Sequence, residues 1–163
     1  MLTVSITGDA DMAAGLDGLP AATIAAIHAK SGALADRLLA RVQQKLGGEA
    51  PRTRTGELAA SVSVEGPELT SEGVLTSLTA AARYAAIQEY GGVTSPHDIL
   101  PQRAKALAFL AGGQQVFARH VHHPGSHIPE RSYLRSSLAE LAPGIAAEMK
   151  AAVLAAMQQQ VAP

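Results

Sequence analysis

The 163-residue chain contains no cysteine and no tryptophan, and its three tyrosines and two phenylalanines hold the aromatic share to 3%. Without cysteine there is no disulfide framework, no thiolate metal site and no cysteine nucleophile. The apolar share is mostly alanine, which packs helices closely but builds a thin core, so contacts between subunits are expected to add stability. A charge surplus is also missing: 13 basic and 14 acidic residues leave a formal net charge of -1. Phosphate neutralisation supplies most sequence-independent affinity for nucleic acid, so no such binding is expected of the chain as a whole. No apolar run is long enough to span a membrane. Met1 to Asp9 has neither the basic start nor the apolar run of a signal peptide, so synthesis and assembly in a cytosol are expected. What is present is 47% hydrophobic and 17% charged residues, the balance of a folded chain. Its length suits one domain over residues 1–163 with a core of its own.

Met1 to Thr7 alternates apolar and polar residues through Leu2, Val4 and Ile6, a weak strand signal. Gly8 to Gly18 is rich in Gly and Asp and reads as a connection. From about Leu19 to Leu46, Ile24, Ile27, Leu34, Leu38, Val42 and Leu46 recur in steps of three, four or seven, which places them on one helix face. Pro20 suits the first turn and Gly47-Gly48 the stop. Lys30, Arg37, Arg41 and Gln44 fall on another face and read as solvated. Gly32 inside the helix weakens it by up to about 1 kcal/mol relative to Ala.

The polar, basic segment from Ala50 to Gly56, with Pro51, Arg52 and Arg54, reads as a loop. Thr55 is placed to cap a short turn through Leu58, with Glu57 near its positive end. Ser61–Glu65 and Gly73–Thr79 read as a hairpin, with Gly66 and Pro67 in the link. Ala80–Tyr90 has helical composition and exits at Gly91-Gly92. Val93–Pro101 reads as a loop. Ala104–Leu110 and Gln114–Val121 form a second hairpin about Gly112-Gly113, and His122–Pro129 is a further loop. The chain closes with a helix from Ser132 to Leu141, a break at Ala142-Pro143-Gly144, and a helix to about Gln160. On that last helix Ile145, Met149, Val153, Ala156 and Met157 share a face. The order predicts an α+β fold: a long N-terminal helix and C-terminal helices packed on a small antiparallel sheet built from hairpins.

His120, His122, His123 and His127 lie within eight residues and are the low-ranked metal candidates, since two imidazoles on a strand face plus a third from a loop suit zinc. The nearest acid along the chain is Glu130, and there is no HExxH pattern, so no metal or other cofactor is expected. Paired acids such as Asp9 and Asp11, Glu65 and Glu68, or Glu140 and Glu148 have no partner at catalytic spacing. Glu89 stands out because a helix C-terminus disfavours its charge, so a cationic partner, Arg131 or Arg83, is expected. No nucleophile elbow and no phosphate-cradling glycine loop occurs. The reading is a non-enzyme.

Ala50-Pro51 with Thr55-Gly56-Glu57-Leu58 and Ser61 resembles the "APxxTGxLxxS" opening of phage neck and tail-completion proteins. Tyr84-Ala85 with Glu89-Tyr90-Gly91 is similar to their "YAxxxExG" segment. Ile99-Leu100-Pro101 through Lys105-Ala106-Leu107, then Val121 to His123-Pro124-Gly125, resembles the Mu-like virion-morphogenesis branch. Pro129-Glu130-Arg131-Ser132-Tyr133-Leu134 is similar to the "PxRxFL" entry into the closing helix, with Tyr133 in place of the commoner Phe. The resemblance covers roughly residues 20–160 and leaves residues 1–18 as an added strand or arm. It implies an α+β protomer that assembles into a ring, typically of six copies, at the top of the tail of a virion. Tail-tube or terminator subunits would lie on one side and the head connector on the other. Candidate partner contacts are Arg52, Arg54, Glu89, His97, His123 and Arg131, with the loops Gly92–Pro101 and His122–Pro129 facing partners. Two rival readings are a metal-dependent hydrolase using the histidines and a DNA-contacting module using Lys30, Arg37, Arg41, Arg52 and Arg54.

Overall fold

The computed structural model describes residues 2–6, 21–49, 55–70 and 73–161. Strand β1 (Leu2–Ile6) forms where the alternation predicts it. Helix α1 (Ala21–Gln44) buries Ile27, Leu34, Leu38 and Val42, the expected stripe. The expected stop at Gly47-Gly48 does not occur. The backbone instead widens into a π turn over Lys45–Glu49 and carries Leu46 into the core. Side-chain bonds hold that turn: Lys45 Nζ donates to Glu140 Oε1 at 2.5 Å and to Ser136 Oγ at 2.6 Å.

A short helix α2 (Glu57–Ala60) follows, entered through Gly56 at φ 75°, with the Glu57 N–H donating to Thr55 Oγ1 at 3.4 Å. Strand β2 (Val62–Thr70) then pairs antiparallel with β3 (Gly73–Ala80), and β3 pairs antiparallel with β1, giving the order β1-β3-β2. Gly66-Pro67 is not the hairpin link. The pair forms a bulge inside β2, where the register steps from Glu65↔Ser77 to Glu68↔Leu75. Gly66 sits at φ +90°, and a Cβ there would lie 2.6 Å from the Leu75 carbonyl oxygen. Pro67 rests over Gly32 of α1, where a Cβ would lie 3.6 Å from its ring.

The central strand β3 lies between two partners and is buried along most of its length, with Leu78 and Ala80 in the main core. Leu38, Val42, Leu46, Leu58, Val62, Ala85, Tyr133 and Leu134 complete that core, and Ile27 with Val74 forms a satellite. The expected helix from Ala80 begins late. Ala80 ends β3, a turn follows, and α3 spans only Ala85–Tyr90. Helical composition there lost to the sheet, because residues up to Ala80 pair with both β1 and β2.

Residues 92–128 form three nested antiparallel pairs. Strand β4 (Gly92–Val93) pairs with β9 (His127–Ile128), β5 (His97–Ile99) with β8 (Val121–His123), and β6 (Leu107–Ala111) with β7 (Gln114–Ala118). The two segments read as loops, Val93–Pro101 and His122–Pro129, are thus the opposed rails of one arm. Their strands are two or three residues long and carry prolines between them, so period-two alternation had no length in which to show. Gly112 and Gly113, at φ 59° and 80°, make the tight turn that the pair predicts.

Helix α4 (Leu134–Val161) closes the chain and runs unbroken through Pro143. The predicted break fails because α4 is clamped to α1 on both sides of the proline. Before it, Glu140 accepts from Arg41 Nε at 2.7 Å and from Lys45; after it, Glu148 accepts from Arg37 Nη1 at 2.6 Å and Lys30 Nζ at 3.3 Å. Lys30, Arg37 and Arg41 therefore face α4 carboxylates and are not a merely solvated stripe. Met157, expected on the buried face with Ile145 and Ala156, is 45% exposed. The fold is α+β, with long N- and C-terminal helices and small antiparallel sheets of hairpin strands.

Candidate functional site

The arm of residues 92–128 leaves α3 and returns to α4, and its base is built around Glu89. This side chain is fully buried, although it ends a helix whose dipole opposes its charge. Its carboxylate instead sits at the N-terminus of α4, where the first N–H groups lack helical partners. Oε2 accepts from the N–H of Tyr133 at 2.7 Å and of Leu134 at 2.9 Å. Oε1 accepts from the Arg135 N–H at 2.9 Å, Ser132 Oγ at 2.7 Å and Arg135 Nε at 3.2 Å. Ser132 Oγ also accepts the Ser136 N–H at 3.2 Å, which completes the cap. Burial by itself raises the carboxyl pKa, but the N–H donors of Arg135, Leu134 and Tyr133 with Ser132 outweigh it and hold it below the ordinary glutamate range.

The expected cation beside Glu89 is Arg135, not Arg131 or Arg83. Arg135 Nη2 also donates to the Glu89 carbonyl at 3.3 Å and to Glu130 Oε1 at 2.6 Å, and the guanidinium lies 4.5 Å above the Tyr90 ring. Arg131 is exposed and contributes through its backbone, whose N–H donates to the Gln88 carbonyl at 3.0 Å. Gly91 tightens the same base: at φ +70°, a Cβ there would lie 2.7 Å from the Glu130 nitrogen. Burial, with the Glu89 charge beside it, pushes the Tyr133 hydroxyl well above the ordinary range. Sequence spacing did not reveal Arg135. The available signal was the run Ser132-Tyr133-Leu134-Arg135 as a helix start in need of an anion, with Glu89 as a carboxylate in need of donors.

Further out, the histidines meet a carboxylate that sequence reading passed over. Asp98 Oδ1 lies 2.8 Å from His122 Nδ1 and 3.1 Å from His120 Nε2. These contacts, His122 first, hold the Asp98 carboxyl below the ordinary aspartate range. Once β5 is recognised, the register itself sets Asp98 opposite His122. His97 and His123 are paired one step away and stack with ring centroids 5.0 Å apart. His123 Nδ1 accepts the Gly125 N–H at 3.0 Å, and His97 Nδ1 lies 3.2 Å from the Ser95 carbonyl oxygen. His127 lies on β9, exposed and outside this group. The four metal candidates are thus divided among three settings. Among the described residues, no group of three or more His, Cys, Asp or Glu is arranged to hold a metal ion. Arg52 and Arg54 lie outside the described residues.

The distal hairpin of β6 and β7 is the third feature. From Leu107 to Ala118 it has no charged residue, and both phenylalanines of the chain are in it. Leu110 is 75% exposed and Phe117 66%. Large apolar groups left in water on a projecting element mark a contact surface. Among the described residues no helix is long and apolar enough to cross a membrane. No family model, no curated protein and no solved structure matches the chain.

Proposed function

We propose that the chain is a structural protein of a tailed-bacteriophage particle or prophage that completes the tail at its head-proximal end and joins it to the head. It acts as a non-enzymatic protomer of a ring, gripping tail-tube or terminator subunits on one side and the head connector on the other. The observation that carries this reading is the meeting of two motif segments at one point. Tyr84–Gly91 and Pro129–Leu134, far apart in sequence and each similar to a segment of neck proteins, join where Glu89 takes the N–H groups of Tyr133 and Leu134. A segment pair tied so firmly makes a rigid base, and what it supports is an arm with uncovered apolar side chains.

Such a division suits a joining protein. A core that folds by itself presents a projecting element whose burial waits for neighbours. The rival DNA-contacting reading asks for free cations along α1, but Lys30, Arg37 and Arg41 each pair with a carboxylate of α4. The test is deletion of the gene in an inducible lysogen, followed by electron microscopy of the lysate. Filled heads and separate tails, rejoined when the gene is supplied in trans, are expected. Intact, infectious virions from the deletion strain contradict the proposal.

A further inference from the structure

The hairpin of β6 and β7 has two faces, and both are mainly apolar. The register places Leu107, Phe109, Ala111, Val116 and Ala118 with Gln114 on one face, and Ala108, Leu110 and Phe117 with Gln115 on the other. An isolated two-stranded hairpin is marginally stable in water, and antiparallel ribbons normally turn one polar face outward. Three cations flank this one: Arg103 and Lys105 before it and Arg119 after it. None of them pairs with a described carboxylate, and Asp98, the arm's acid, is held by His120 and His122.

The complementary surface is on the body of the same protein. Strand β2 is an edge of its sheet, so one side of its backbone has no partner strand among the described residues. Toward its far end Glu65 and Glu68 are exposed on one face of the sheet and pair with no described cation, and Leu69, which the register sets on the opposite face, is 60% exposed. One patch is apolar with a basic rim; the other is an open edge with an exposed leucine and two unpaired carboxylates.

We infer that the arm hairpin of one copy docks on the β2 edge of a second copy of this chain. Phe117 and Leu110 cover Leu69, Arg103, Lys105 and Arg119 face Glu65 and Glu68, and the hairpin backbone extends the neighbour's sheet. Strand addition of this kind draws affinity from main-chain bonds and specificity from the flanking side chains. Because the two patches differ, the contact is heterologous and passes from copy to copy until rotation closes it. The inference rests on the ring assembly proposed above, but it concerns purified protein alone. Its failure therefore leaves the place in the virion to be judged by the deletion strain.

The test uses two full-length variants, each blind on one side: Phe117→Ser, and Glu65→Lys with Glu68→Lys. All three positions are exposed, so both variants should keep the wild-type fold, checked by circular dichroism. Light scattering after gel filtration is expected to show wild-type oligomers and each variant alone at the 16.7 kDa monomer mass. An equimolar mixture should give a 1:1 dimer that grows no further, since each variant keeps the patch the other has lost. Wild-type protein that is monomeric at every soluble concentration overturns the inference, as does a monomeric mixture. Either variant assembling like wild type also overturns it. So does monomeric wild type floating with phosphatidylglycerol vesicles, which would make the hairpin a lipid contact.

Discussion

The body and the arm of this protein are built on opposite terms. In the body, α1, α4 and the three-stranded sheet bury Leu38, Val42, Tyr133 and Leu134 to within about a hundredth of full exposure. In the arm, from Gly92 to Ile128, no described side chain is fully buried, and the largest apolar groups face outward. The body is stabilised by its own packing, whereas the arm is held at its base and by backbone pairing. The comparison teaches where this fold spends its few large side chains. Tyr133 and the leucines close the core, and both phenylalanines are sent to the tip.

The largest way to break the comparison is to cut the joint between the two regions. Glu89→Ala leaves the first N–H groups of α4 without their carboxylate and the Arg135 guanidinium with the Glu130 carboxylate alone. It should cost about 3–5 kcal/mol in urea unfolding, and Glu89→Gln, which keeps an acceptor but not the charge, about 2–3 kcal/mol. An unfolding midpoint unchanged in both variants would remove Glu89 from the account.

Acid should act on the same joint and on the clamp between α1 and α4. The folded Glu89 carboxyl lies below the ordinary glutamate range, and the Glu140 carboxyl is lowered to about 2 by Arg41 and then Lys45. A depressed carboxyl contributes stability that is present above its unfolded value and lost as pH falls through the folded one. Stability should therefore be level from pH 7 to pH 5 and fall steadily below about 4.5, a fall that Glu89→Gln makes shallower in pH-dependent unfolding.

A smaller effect separates the regions instead of joining them. Gly125 sits at φ +91°, where a Cβ would stand 2.2 Å from the Thr94 carbonyl oxygen. Gly125→Ala should strain the arm by about 1–3 kcal/mol and speed its proteolysis, with the global unfolding transition in place. A matching loss of body stability would mean that the two regions unfold as one. The smallest effect should be favourable. A Cβ on Gly32 would rest 3.6 Å from the Pro67 ring, an ordinary contact, so Gly32→Ala should stabilise by up to about 1 kcal/mol through helix propensity.

Legibility in the sequence follows the same division. Helix α1 was readable because its apolar stripe recurs over six turns, and the β6–β7 hairpin because Gly112-Gly113 demands one turn type. The strand at Leu2–Ile6 was readable from three alternating residues. Local signals misled where distant partners decide. Pro143 reads as a break, but α1 clamps the helix across it; Gly66-Pro67 reads as a turn, but β3 pairs on both sides of it. Of the site, Glu89 was legible as an anomaly, a carboxylate at the wrong end of a helix. Its partner was not, because a helix N-terminus 44 residues away from Glu89 leaves no mark near it in sequence. Asp98 was hidden for a related reason: strands β5 and β8 are three residues each, too short to announce a register.

The central claim, that a self-sufficient body carries an arm whose cover comes from neighbours, is most directly tested by hydrogen exchange on the free and the assembled protein. In free protein the amides of α1, β3 and α4 should exchange only with global unfolding, and those of residues 107–118 within the shortest labelling times. In the assembled protein residues 107–118 should become protected while the body is unchanged. Equal protection of residues 107–118 in both states would contradict the account.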